Sequence, residues 1–158
     1  ATVCDAVTRR LVLDAQGVTV LADPHHARHA ELRALLQAAR DKRRKRAAKD
    51  GHPTLVPASV RIEAGWDRSA QAWSAMNGLS IEDVVLDGLI ANRAAALRSA
   101  VGSGVGTSPS DRRKRMLSTA DAHLGAILQD SDIVATSDPG DVEAMASHRN
   151  ISVATVIL

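Results

Sequence analysis

Short, branched apolar runs alternate along this chain with longer stretches in which apolar residues recur every three or four positions. RRLVLD (Arg9 to Asp14) is an apolar run ending in a carboxylate, as expected of a strand buried in a parallel sheet. HAELRALLQAAR puts Leu32, Leu35, Leu36 and Ala39 at helical spacing, and the basic run that follows continues the helix on a polar side. Gly51 and Pro53 punctuate the chain before TLVP, a second strand. ASVRIEAGWDRSAQAW predicts a helix over 58–73 with Ile62, Trp66 and Trp73 on one stripe. EDVVLD (82–87) is the third strand, and GLIANRAAALRSAV an amphipathic helix facing inward through Ile90, Ala94, Leu97 and Val101. After a GSGVGTSPSD loop, Pro109, Ser110 and Asp111 signal the start of a helix that holds RMLSTADAHLGAIL. DIVATSD, a short helix around VEAMASH and a final strand in ISVATVIL complete the series. Such alternation predicts a three-layer α/β/α fold: a mainly parallel sheet of about five strands, with helices on both faces.

At 158 residues, the length suits one domain over residues 1–158 with a sizeable core. Its single cysteine, Cys4, excludes an intramolecular disulfide. ATVCDAVTRR lacks the apolar core of a signal peptide, and no apolar run is long enough for a bilayer, so a cytoplasmic protein without membrane attachment is expected. With no Tyr or Phe and two Trp, the chain cannot build an aromatic platform for single-stranded bases. Nucleic acid would have to be held by charge. The net charge is +2, yet Arg40 to Lys49 and Arg112 to Arg115 form basic blocks while the chain from Met116 onward is acidic. A block such as Arg43, Arg44, Lys45 and Arg46 can attract a polyanion or be a solvated helix face.

The carboxylates carry the chemical signal. Asp14 ends the first strand and Asp138 the fourth, and in open α/β sheets ligands bind at the carboxyl ends of the strands. Asp121 aligns by helical spacing with Leu117, Leu124 and Leu128, on the apolar side of its helix. Glu63, near the start of the helix after the second strand, can reach the same rim. Four carboxylates in one crevice raise one another's pKa values unless cations neutralise them. Oxygen-only ligands suit Mg²⁺ or Mn²⁺, and phosphodiester hydrolysis is chemistry that uses such ions. Asp138 and Asp141 also stand where helix N-termini favour negative charge, so capping and metal contact compete for Asp141, whereas Glu143 reads as a surface residue.

LVLDA, PASVRIEAGW, STADAHLGAIL and IVATSDPGDVEAMA, in that order over nearly the whole chain, resemble the PIN-domain ribonucleases, especially the bacterial VapC-type toxins. By this resemblance Asp14, Glu63, Asp121 and Asp138 match the family's four acidic positions, Asp141 an additional Asp of the same loop, and Thr136 a small hydroxylic residue beside them. The resemblance implies a compact parallel sheet, Mg²⁺- or Mn²⁺-dependent endoribonuclease activity, a homodimer, and inhibition by a small antitoxin. The basic residues, among them Arg112 and Arg113, would then contact RNA or an acidic antitoxin tail. Gln16 departs from the family's usual Ser or Asn and alters the surroundings of the acidic set, Val142 stands where Phe is frequent, and the segment between Asp14 and Glu63 is long.

Other motifs carry less. GSGVGTS follows a helix and lacks a P-loop lysine. PHHARH gathers His25, His26 and His29 without cysteine, and reads as a helix start rather than a zinc site. His123 reads as a helix-face residue, and Cys4 has no neighbouring activating group. Two further classes compete with the nuclease: a PIN-like module that binds RNA or protein without cutting, and a phosphoacceptor domain. The latter would need paired acids after the first strand and a late lysine, or a second Asp where Gln16 stands.

Overall fold

The computed structural model describes residues 9–45, 53–101 and 116–158. Leu11, Val12 and Leu13 form β1 (Leu11–Leu13), all three buried, with Leu11 and Leu13 facing one core and Val12 the other. That division is what a period of two dictates for a strand covered on both faces. β2 (Thr54–Pro57), β3 (Ile81–Val84), β4 (Ile133–Thr136) and β5 (Ala154–Ile157) join it in the order β3-β2-β1-β4-β5, every pair parallel.

The first core packs α1 (Ala15–Ala22) and α2 (His29–Lys45) on the sheet through Val18, Val20, Leu21, Leu32 and Leu36, with Val60 of α3 (Ala58–Ala64). The second uses Ala94 and Leu97 of α5 (Gly88–Val101), Leu124 of α6 (Thr119–Ile127), and Val142 and Met145 of α7 (Pro139–His148). The short α4 (Ser74–Asn77) adds Met76 to the first. The expected α/β/α layering is observed, and the sheet is entirely parallel.

Several boundaries differ from the sequence pattern. Nothing in the apolar spacing marks α1, whose AQGVTVLA carries a glycine and β-branched residues of low helix propensity. Its start is secured by the Asp14 carboxylate, which accepts the Gly17 N–H at 2.7 Å. Gly17 lies against β4, where a Cβ would stand in ordinary contact with the Ala135 carbonyl at 3.4 Å. The helix expected over 58–73 stops at Ala64, because Gly65 takes a left-handed conformation (φ 69°). Chain reversal removes Ile62 from the shared stripe and leaves it 82% exposed. Trp66 is buried and donates from Nε1 to Asn77 Oδ1 at 3.1 Å, with its ring 6.2 Å from that of Trp73. β3 ends before Asp87, whose carboxylate accepts the Ile90 N–H and so opens α5. α6 begins at Thr119, capped by Ser118, and α7 at Pro139, three residues before VEAMASH. The Pro109, Ser110 and Asp111 start signal, Cys4, Arg46, Arg112 and Arg113 lie outside the described residues; Arg43, Arg44 and Lys45 belong to the last turn of α2.

Buried side chains surround α6: seven of its nine residues are buried, so it sits inside the molecule rather than on a face with one apolar stripe. Its C-terminal carbonyls are covered by arginines from three other segments. Arg149 donates to Gly125 and Leu128, Arg93 to Ala126 at 3.0 Å, and Arg10 to Ile127 at 2.9 Å. Arg10 also grips the buried Asp132 through both carboxylate oxygens, at 2.8 and 2.6 Å. A buried helix end without such partners would leave its carbonyls unpaired.

Candidate active site

Strand order reverses between β1 and β4, since the chain winds outward through β2 and β3 on one side and through β5 on the other. In open parallel sheets the crevice lies at that switch point, at the carboxyl ends of the strands. Register pairs Leu13 with Ala135, so the next residues, Asp14 and Thr136, leave the sheet side by side. A cleft of about 210 Å³ opens there, lined by Asp14, Gln16, Glu63, Asp121, Asp138 and Asp141 over a floor that includes Leu124, Val142 and Met145. All five carboxylates expected from the sequence therefore face one cleft, with Gln16 and Thr136 on its wall.

Local structure explains each placement. Asp14 caps α1. Asp121 is in the first turn of α6, its backbone N–H held by the Ser118 hydroxyl at 3.0 Å. Asp138 caps α7 and accepts the Asp141 N–H at 3.3 Å. Three helix N-termini thus meet the cleft and offset part of its negative charge. Glu63 differs: with α3 ending at Ala64 it occupies the last turn of its helix rather than the start, where the helix dipole disfavours an anion. Helix stability gives no reason for a carboxylate at that position.

The carboxylates act on one another. Burial pushes the Asp14 pKa up, and the Asp121 charge adds to this; hydrogen bonds from Thr136 and the Gly17 N–H oppose it. Glu63 is raised by burial, then by Asp121 and Asp14, and Asp141 by burial, then by Asp138 and Asp121. None of the five is paired with an arginine, lysine or histidine among the described residues. The Thr136 hydroxyl is buried and also accepts the Asp138 N–H at 3.0 Å, which ties the end of β4 to the carboxylate after β1.

Carboxylate oxygens alone, in a negative cleft without an internal cation, are the donor chemistry that Mg²⁺ and Mn²⁺ take. Among the described residues no group of three or more His, Cys, Asp or Glu stands so placed that it could hold a metal ion. An ion that keeps several waters and takes one or two carboxylates directly does not require one.

His123 and Ser59, which the sequence pattern did not connect, form a pair between α6 and α3, the histidine buried and the serine half-buried: Ser59 Oγ lies 2.7 Å from His123 Nδ1. His123 is wholly inaccessible, and its Nε2 makes no hydrogen bond. Burial lowers its pKa, against the opposing influence of the Val85 backbone and Asp87, so the ring is neutral at physiological pH. The expected helix-face histidine is thus a buried one. His26 and His29 turn to backbone groups, Nδ1 of His26 accepting the Arg28 N–H at 3.1 Å and Nδ1 of His29 lying 3.0 Å from the Val20 carbonyl oxygen. Among the described residues no helix is long and apolar enough to cross a membrane. In comparisons with known proteins, no family model and no curated protein matches the chain.

Proposed function

We propose that this protein is a Mg²⁺- or Mn²⁺-dependent endoribonuclease of the PIN-like kind, hydrolysing RNA phosphodiesters, and the toxin of a toxin–antitoxin pair. The observation that carries the nuclease reading is the convergence of five carboxylates on one cleft at the switch point of the sheet, three of them with raised pKa values and none with a cationic side-chain partner among the described residues. The toxin role, a homodimer and a small antitoxin partner rest on the resemblance of LVLDA, STADAHLGAIL and IVATSDPGDVEAMA to VapC-type proteins.

Asp14, Glu63, Asp121 and Asp138, directly or through water, would hold the ion, with Asp141 assisting. When bound, such an ion supplies a water of lowered pKa and charge for the leaving oxygen. Of the residues lining the cleft, Asp138 is exposed and Asp14 half-buried. Thr136 keeps the Asp14 carboxylate oriented. Arg43, Arg44, Lys45 and Arg46 with Arg112 and Arg113 would attract the RNA backbone or an acidic partner segment by charge.

A second reading, a PIN-like module that binds RNA or protein with little or no cleavage, is favoured by one observation: no three ligand-type side chains close on a common point among the described residues. The experiment that separates the two is incubation of total RNA with purified protein and Mg²⁺ or Mn²⁺, with EDTA and Asp138→Asn in parallel. The nuclease gives discrete fragments that vanish in both controls, with Asp138→Asn slower by at least about 100-fold, the scale of a lost catalytic electrostatic contact. RNA retained by all three samples but cut by none would establish the binding module instead.

A further inference from the structure

Resting on the metal-site reading above, we infer that Ser59 and His123 are a positioning pair that sets Glu63 opposite Asp121 across the cleft. The pair is the one side-chain hydrogen bond between α3 and α6 among the described residues, and those two helices carry Glu63 and Asp121. Ser59 and Glu63 are four residues apart, one turn along the same face of α3. α3 has seven residues, no side-chain cap on its N-terminus, and a reversal at Gly65 directly after it. Val60 is its one buried residue, and Arg61 ties the helix to Asp83 and to the Trp66 carbonyl, so towards α6 the Ser59 bond is the directional side-chain contact.

The chemistry of the pair is not what packing alone would select. A wholly buried imidazole is desolvated, and its Nε2 is left without a hydrogen bond, whereas an apolar side chain would fill the same volume at no such cost. What the imidazole supplies, and an apolar residue cannot, is an acceptor for the Ser59 hydroxyl. The Ser59 hydroxyl stands 2.7 Å from Nδ1 and is a donor that this nitrogen of a neutral ring can accept, and we assign the bond in that sense. A directional bond at the first turn of α3 then governs where its last turn places Glu63, which lines the same cleft as Asp121.

Calorimetric titration of the full chain with Mn²⁺ alone tests this, using Ser59→Ala, Ser59→Thr, Glu63→Gln and the Ser59→Ala/Glu63→Gln double variant, each checked for folding by circular dichroism. We expect Ser59→Ala to weaken Mn²⁺ binding by roughly three- to tenfold, the worth of one net hydrogen bond, and Ser59→Thr to restore it. Once Glu63 is Gln, Ser59→Ala should weaken binding no further, because the two changes remove the same interaction. Unchanged affinity in Ser59→Ala, or an equal loss with and without Glu63, overturns the positioning role while leaving the metal site standing. A folded wild-type chain that takes up no Mn²⁺ overturns the metal site itself, and this pairing with it.

Discussion

One hydroxyl and one carboxylate show how closely structure and charge are joined at the switch point. Thr136 Oγ1 accepts the Asp138 N–H and hydrogen-bonds Asp14, so Thr136→Val removes a buried donor and acceptor together. The expected loss is about 1–3 kcal/mol in urea unfolding and, if the proposed nuclease function holds, slower RNA cleavage. Asp14 gives the pH signature. Its folded pKa is raised above 3.8, so the folded chain binds that proton more tightly than the unfolded chain. Its contribution is therefore most favourable below 3.8 and is lost as pH rises through the raised folded value. Without divalent ions, Asp14→Asn should melt higher than wild type at neutral pH, and the difference should disappear in acid. Asn still accepts the Gly17 N–H, so the cap of α1 is kept. A melting temperature equal to wild type at neutral pH would remove the electrostatic account of this site. Asp14 and Asp138 were legible in the sequence as strand-end acids. Ser59 with His123 was not, because a bond between residues 64 positions apart leaves no local pattern.

Among the elements, α6 decides the geometry of the cleft, since it brings Asp121 in and is gripped at its far end. Gly125 packs against α7 and α5: a Cβ there would collide with the Met145 side chain and stand 3.2 Å from Leu97 Cδ1. Gly125→Ala gains helix propensity of about 1 kcal/mol, yet overpacking of about 1–3 kcal/mol opposes it. Net destabilisation is expected, read as a lower urea midpoint at unchanged slope. At the other contact, Asp132→Asn leaves the Arg10 guanidinium largely buried without its counter-charge, and should cost about 3–5 kcal/mol. Helices with an apolar stripe and a flanking cap, such as α5, could be read directly from the chain. α1 could not: its composition opposes helix, and only burial of Val18, Val20 and Leu21 under the sheet outweighs that. Gly65 likewise ended α3 against a periodicity that ran on to Trp73.

For the whole molecule, the cleft is a concentration of like charge at the centre of a parallel sheet, and a divalent ion there should act as a folding ligand. Mg²⁺ or Mn²⁺ at about 100-fold over its dissociation constant should add about 2.7 kcal/mol, a rise of roughly 5–10 °C in melting temperature. That rise should grow with pH as Asp14, Glu63 and Asp141 lose protons, and should be absent from an Asp14→Asn/Asp138→Asn chain. By itself the sequence determined the alternation of strands and helices, the α/β class, and which carboxylates follow strands, since these depend on periodicity and on residues adjacent in the chain. Only the tertiary structure decided the strand order β3-β2-β1-β4-β5, the three arginines on the end of α6, and the bond between Ser59 and His123. Those arise from packing and hydrogen bonds between residues distant along the chain, where each partner alone looks like any other polar residue.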